Sequence, residues 1–355
     1  MKIIIVLIFC IFCPPLTTQG KAAVKNQVIC NIAGRAWRST YVFDICMLPE
    51  RCDIIDVGQY AFDRDNGVDT HIKESDKDII RTLVEANKTV YTRIGFRGGK
   101  DEWIPIFNPT DEKVFQKQTF DPLVNFLNTF KINGLIINCE DIYSIATDDI
   151  DKKISNFVSA IKSKVDKLIV GITISGKSYK KFENNTLFDF TITNQVLDLY
   201  IINWAYLNDC EKDTVKTGMS PVTSANPNVT TIAKVSSSVA NSKMEKSKIY
   251  GMVQLLPYIP TKLLSKESMY CITTYSIYCS STNKANSSQW CTDPSQLLYD
   301  QGVHAKNVYV GIVLEQLDTD DYERKCECGP FPVTNIVLDG WTGSPFKTCP
   351  KLDQN

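Results

Sequence analysis

The residues best placed to do chemistry sit in one stretch, Lys131-Ile132-Asn133-Gly134-Leu135-Ile136-Ile137-Asn138-Cys139-Glu140-Asp141. Its apolar run, Leu135 to Ile137, has a glycine in front and a polar cluster behind, the pattern of a strand buried on both faces. Side chains two apart on a strand point the same way, so Ile136, Asn138 and Glu140 share a face. The C-terminal end of that strand then delivers a carboxamide and a carboxyl group into one site. The first can orient a polar group by hydrogen bonding, and the second can give or take a proton. Cys139 lies between them with no adjacent histidine to activate it, and reads as an inert buried thiol.

Other chemically capable sets carry blander readings. Cys326-Glu327-Cys328 could suggest a metal clip, but in an oxidising compartment its cysteines are expected to form disulfides. Asp318, Asp320 and Asp321 lack a glycine and a glutamate at the offsets of a calcium loop, and read as acids that structure a loop. Gly98-Gly99 ends a strand with no lysine-serine after it, so it reads as a barrel turn and not as a phosphate cradle. The two histidines, His71 and His304, lie far apart and argue against a histidine metal site or a serine-histidine triad. No cofactor and no metal are expected.

The chain around these residues has a clear order. Lys2, an apolar run from Ile3 to Phe12, then Cys13-Pro14-Pro15 and small or polar residues to Gly20 follow the layout of a secretory signal peptide. The run is shorter than the roughly 20 apolar residues a bilayer span needs. Residues 1–20 are therefore expected to be a leader, and 21–355 one secreted, monomeric domain without a membrane span. Basic and acidic residues nearly cancel (39 against 40), so charge implies neither a nucleic-acid nor a membrane partner. Of 13 cysteines, Cys10 and Cys13 fall in the leader, which leaves an odd number for a compartment where most should pair. Four glycosylation acceptors, Asn87, Asn184, Asn228 and Asn286, fit the same route.

Strand patterns recur at Val28 to Ala33, Asp53 to Phe62, Val90 to Phe96, Leu168 to Ile174, Leu199 to Trp204, Ile249 to Gln254 and Val308 to Glu315, with the central stretch among them. Helical patterns fall between them: Ser75 to Lys88, a helix opened by Asp121-Pro122, Ile154 to Val165, and one capped by Thr292-Asp293-Pro294 and ending at Gly302. Such alternation predicts an α/β fold, a parallel (β/α)8 TIM barrel, with residues to spare for loops beyond the usual ~250.

The central stretch also resembles the signature of glycoside hydrolase family 18, the chitinases and chitinase-like lectins, which reads Asp-Gly-x-Asp-x-Asp-x-Glu. Tyr60-Ala61-Phe62 is similar to a family motif, and Asp318 to Tyr322 with Cys328 to Pro332 resemble the family's C-terminal ending. The resemblance implies the same barrel, with Glu140 in the place of the general acid and Asn138 in the place of the acetamide orienter. It makes Tyr60 and Phe62 the aromatic floor of a sugar site, with Trp204 and Tyr206 at the end of the sixth strand. Glu315 takes the position of a tryptophan that floors the family's central subsite. It also implies a Cys30–Cys52 disulfide, for which Cys46 competes.

Hydrolysis in that family is assisted by the substrate's own acetamide, an exception to the two-carboxylate rule. Here Asn133, Ile136 and Asn138 replace its aspartates. Ile136 cannot hold a proton, and Asn138 supplies no negative charge to a developing cation. Losing one preorganised contact of this kind costs about 10²–10³ in rate. The mouth is expected to hold a solitary acid, and the chain to be a secreted chitinase-like protein without useful catalysis. It would bind a chitin-like N-acetylglucosamine oligosaccharide or an extracellular protein. The alternative is a weak acetamide-assisted glycosidase, of chitinase or endo-N-acetylglucosaminidase type, using Glu140 as acid.

Overall fold

The computed structural model describes residues 27–33, 45–62, 74–96, 103, 106–138, 149–183, 189–210, 214–257, 274–280 and 291–353. The expected leader, residues 1–20, and His71, Gly98-Gly99, Cys139, Glu140, Asn184 and Asn286 lie outside them. Eight strands form a closed barrel in sequence order: β1 (Gln27–Ile32), β2 (Ile54–Phe62), β3 (Thr89–Phe96), β4 (Gly134–Asn138), β5 (Ile169–Ser175), β6 (Leu199–Asn203), β7 (Ile249–Gln254) and β8 (Gly311–Glu315). Every neighbouring pair is parallel, and β8 closes on β1 through Gln27 opposite Gly311 and Cys30 opposite Leu314. This is the predicted TIM barrel.

The principal described helices on the outside are α1 (Glu74–Glu85), α2 (Asp121–Thr129), α3 (Ile150–Lys162), α4 (Phe190–Thr193), α5 (Ile232–Asn241), α6 (Ser295–Val308) and α7 (Pro332–Thr342). Their apolar faces meet the outward side chains of the strands in one large core, while a smaller cluster fills the barrel itself. α1 opens with Glu74 and Asp76 in its first turn, where acids complement the helix dipole. It stops at Asn87, whose left-handed φ of 57° lets the Lys88 amide return to the Leu83 carbonyl at 2.9 Å.

Four sequence expectations need correction. Asp121 is the first residue of α2, followed by Pro122 as expected, but it is not an N-cap, because the chain enters α2 already helical. The capping residue is Asp111, its side chain accepting from the amides of Lys113 and Val114, and a π-turn over Gln116–Phe120 joins that short helix to α2. α6 does not end at Gly302. It passes through, because a Cβ there would lie 2.0 Å from the Val337 carbonyl of α7, so glycine is what lets the two backbones cross. Its capping partner is also different, as Asp353 accepts from the Ser295 amide at 2.7 Å. The last strand begins at Gly311 and not at Val308, since α6 extends over Val308.

The bottom of the barrel is closed by two rings. Tyr91 on β3 and Tyr250 on β7 lie inside it, and Gly134 and Gly311 give them room: added Cβ atoms would meet those rings at 2.4 Å and 2.0 Å. Disulfides join Cys30 to Cys52, Cys210 to Cys291, Cys279 to Cys326 and Cys328 to Cys349, and Cys46 is disulfide-bonded as well. Cys326 and Cys328 are thus bridge halves. No described helix is long and apolar enough to cross a membrane.

Candidate ligand site at the barrel mouth

Period-two alternation builds the site. Inside the barrel, one layer is formed by Ile29, Ile54, Tyr91, Ile136, Ile201, Met252 and Val313 from seven strands, with Gly171 filling the place on β5. Two residues further along each strand the inward positions are Asn31, Asp56, Arg93, Asn138, Thr173, Asn203, Gln254 and Glu315. All eight strands contribute, and every contribution is polar. The change from apolar to polar is complete within one pleat, at the C-terminal end where (β/α)8 proteins place their sites.

Arg93 organises this ring. Its Nε donates to Asp56 Oδ2 and its Nη1 donates to Glu315 Oε1 at 3.0 Å, so one guanidinium spans β2 to β8 across the barrel. Asn31 completes the bracket: its Nδ2 donates to Asp56 Oδ2 at 3.1 Å, and its Oδ1 accepts the Gln316 amide at 3.2 Å. Asp56 and Arg93 are 0% and 2% exposed, so these charges interact with little screening by solvent. Burial holds the Asp56 carboxyl above the usual carboxylate range against the pull of Arg93. For Arg93 burial opposes the charge, but the two carboxylates outweigh it and hold the guanidinium charged. β2 has a bulge just beyond Asp56, where Gly58 takes φ 70° and one extra residue enters before Gln59 pairs with Arg93.

Much of the ring's bonding capacity is unused. Asp56 Oδ1, Arg93 Nη2, Asn138 Oδ1, Thr173 Oγ1, Gln254 Nε2 and Glu315 Oε2 are buried and have no hydrogen-bond partner among the described residues, nor does Gln316 Oε1 beside them. Buried polar atoms are nearly always paired, so a concentration of unpaired ones in a single layer marks a place where a polar ligand or water completes them. Beside the ring, at the ends of β6 and β7, is a small cavity with Tyr206, Gln254, Tyr275 and Asp293 in its wall. Asp293 is held above the ordinary carboxylate range by burial, while the Gln301 side chain donates to it at 2.8 Å.

The residues singled out from the sequence are distributed unevenly. Asn138 and Glu315 stand in the ring, the first half-buried and the second 13% exposed. Tyr60 and Phe62 lie on β2 beyond the bulge, opposite Ile94 and Phe96, and their side chains are outside the description. Tyr206, half-buried with φ 52°, reaches the small cavity. Trp204, 1% exposed, packs over Gly251 and against Tyr309 and His304 on the outer face of the barrel, and it also forms part of the wall of the small cavity beside Tyr206. It follows Asn203, which points inward, so alternation turns it away. Asn87 and Asn228 are exposed.

The expectation of a solitary acid is corrected too, because the ring holds Asp56 and Glu315, both engaged by Arg93. Sequence reading passed over Asp56 and Arg93, although a signal was present. Each is a charged residue in an apolar strand run, two positions from an inward apolar residue.

Two other groupings are structural. Asp320 accepts from the amides of Val333 and Thr334 at the start of α7, and burial raises its carboxyl to about 6. Asp321 accepts from Ser276 and from the amides of Lys325 and Cys326, which makes these acids fasteners of the loop after β8. The fold does bring a serine to a histidine, Ser236 Oγ lying 2.8 Å from His304 Nε2. That hydroxyl is equally close to the Tyr309 hydroxyl and is buried among helices, away from the ring. Among the described residues no three His, Cys, Asp or Glu side chains converge as metal ligands.

The sequence matches no protein-family model and no curated protein. Solved structures do match in shape. The second catalytic domain of the Ostrinia furnacalis Group II chitinase superposes with TM-score 0.71 at 12% identity, over 91% of this chain and 98% of that one. Human YKL-39, described as a pseudo-chitinase with retained chitooligosaccharide binding properties, gives TM-score 0.66 at 14% identity, over 89% of this chain and 100% of that one. The Ostrinia furnacalis Group IV chitinase gives TM-score 0.66 at 13% identity, over 89% and 100%. At these identities the likeness concerns shape, and the barrel described above has the fold of these chitinases and of the pseudo-chitinase YKL-39.

Proposed function

We propose that this chain is a secreted carbohydrate-binding protein whose barrel mouth holds a chitin-type oligosaccharide without cleaving it. The observation that carries the reading is the polar ring, in which every strand supplies a polar side chain and most of the uncommitted buried atoms are found. Sugars present many donors and acceptors on one face, and a ring of unpaired carboxamide, hydroxyl, guanidinium and carboxylate atoms is suited to them. The fold shared with YKL-39, a pseudo-chitinase that binds chitooligosaccharides, supports the same assignment.

Against catalysis stands the state of the acids. Glycoside cleavage needs a carboxyl that releases its proton to the leaving oxygen. Asp56 and Glu315 are bound to Arg93, and β4 offers Ile136 and Asn138 where an assisting anion would be needed. Glu140, two positions past the end of β4 in the sequence, is the remaining acid that the family resemblance names. The uncommitted Asn138 Oδ1 favours one second reading, a slow acetamide-assisted glycosidase, because it could accept the acetamide N–H of a bound sugar.

The test is a glycan array with chitin-bead retention, alongside turnover of a fluorogenic chito-oligosaccharide by the wild type and by Glu140→Gln. Binding without turnover is the expected result. Turnover abolished by Glu140→Gln would establish the second reading, and an array without hits would overturn the carbohydrate assignment.

A further inference from the structure

The ring's charge and its free atoms narrow the kind of sugar, given that the carbohydrate reading holds. Its ionisable members are Asp56, Arg93 and Glu315, two carboxyl groups against one guanidinium, so the ring carries a formal excess of one negative charge when both carboxyls are ionised. Acceptors also dominate what is uncommitted. Asp56 Oδ1, Asn138 Oδ1, Glu315 Oε2 and Gln316 Oε1 only accept, whereas Arg93 Nη2 and Gln254 Nε2 donate and Thr173 Oγ1 does either. No inward ring position holds an apolar side chain, and Ile136 lies in the layer below.

An N-acetyl group is neutral and ends in a methyl, which gains most from an apolar contact. A protonated amine brings three donors and a positive charge, which is what unpaired acceptors with excess negative charge lack. We propose that the mouth selects amine-bearing sugars, a glucosamine oligomer over its N-acetylated counterpart, with Glu315 as the residue that sets the preference. Thr173, fully buried with an unpaired hydroxyl, contributes to holding either sugar.

Titration calorimetry tests this with two probes, glucosamine pentamer and N-acetylglucosamine pentamer, at a pH that keeps the amines protonated. The full chain is compared with Glu315→Gln and Thr173→Val after a thermal melt confirms that each variant folds. The amine pentamer is expected to bind the wild type about tenfold more tightly, a gap of about 1.4 kcal/mol, and to lose most of that lead in high salt. Glu315→Gln keeps an acceptor for Arg93 but removes the charge, and should bring the two probes within about threefold of each other. Thr173→Val should weaken both alike.

Equal or tighter binding of the acetylated pentamer would overturn this inference and leave the carbohydrate reading intact. If neither pentamer binds, the carbohydrate reading itself falls and takes the inference with it. A preference that survives in Glu315→Gln would overturn the role given to Glu315.

Discussion

The floor and the mouth of this barrel use the same strands and opposite chemistry. On the floor, Tyr91 and Tyr250 fill the space left by Gly134 and Gly311, and the Tyr250 hydroxyl donates to Gln27 at 3.0 Å. At the mouth, one pleat above the apolar layer, six ring residues carry buried atoms with no partner. The floor is a solved packing problem, and the mouth is left unsolved by the protein alone. The floor serves packing alone, whereas the mouth joins binding capacity to one buried ion-pair bracket around Arg93, at the end where (β/α)8 barrels place their sites.

Substitutions can break or sharpen that contrast. The largest effect is expected at the point where the mouth is also structural. Arg93→Met strands Asp56 and Glu315 in low dielectric, and should cost about 3–5 kcal/mol in urea unfolding at neutral pH. The sign of its pH dependence follows from Asp56. Burial raises its folded-state value above the unfolded one, so its protonated form favours the folded state. That contribution is whole below the ordinary carboxylate range and is lost as pH rises through the folded value. Without the guanidinium this window widens upward, so the deficit of Arg93→Met should shrink steadily on acidification.

Gly311→Ala comes next. Its Cβ would fall 2.0 Å from Tyr250, and overpacking of this kind costs about 1–3 kcal/mol. Sugar affinity per folded molecule should not change, because the ring is untouched. Tyr250→Phe removes only the bond to Gln27 and should lower stability by about 1 kcal/mol. Thr173→Val is expected to have the smallest effect on stability and the opposite sign. Removing a buried, unpaired hydroxyl should leave stability equal or up to about 1 kcal/mol higher while sugar binding weakens. A Thr173→Val protein that melts several degrees lower with binding unchanged would erase the contrast.

The eight strands were legible because each is a short apolar or β-branched run between breakers, and β7 matches its sequence pattern from Ile249 to Gln254. Boundaries were less legible where two signals compete. Val308 to Val310 looks like a strand start, yet the helix before it continues to Val308, and Gly302 looks like a stop although it serves a helix crossing. At the site, β4 was read correctly as an apolar run ending in Asn138. The ion-pair network of Glu315 was not foreseen. Glu315 pairs with Arg93 across 222 positions and Arg93 with Asp56 across 37, and such long-range pairings leave no local trace. The outward packing of Trp204 was not legible for a simpler reason: a one-residue difference in register decides whether a strand residue faces the lumen or the helices.

The left-handed turn at Asn87 has a practical consequence. It is exposed and immediately precedes the N-terminal end of β3, so it belongs to the pole opposite the ring. Anything attached there, whether an N-glycan, a dye or a linker to a sensor surface, would extend away from the opening. A molecule tethered by that turn presents its entrance to the surrounding medium.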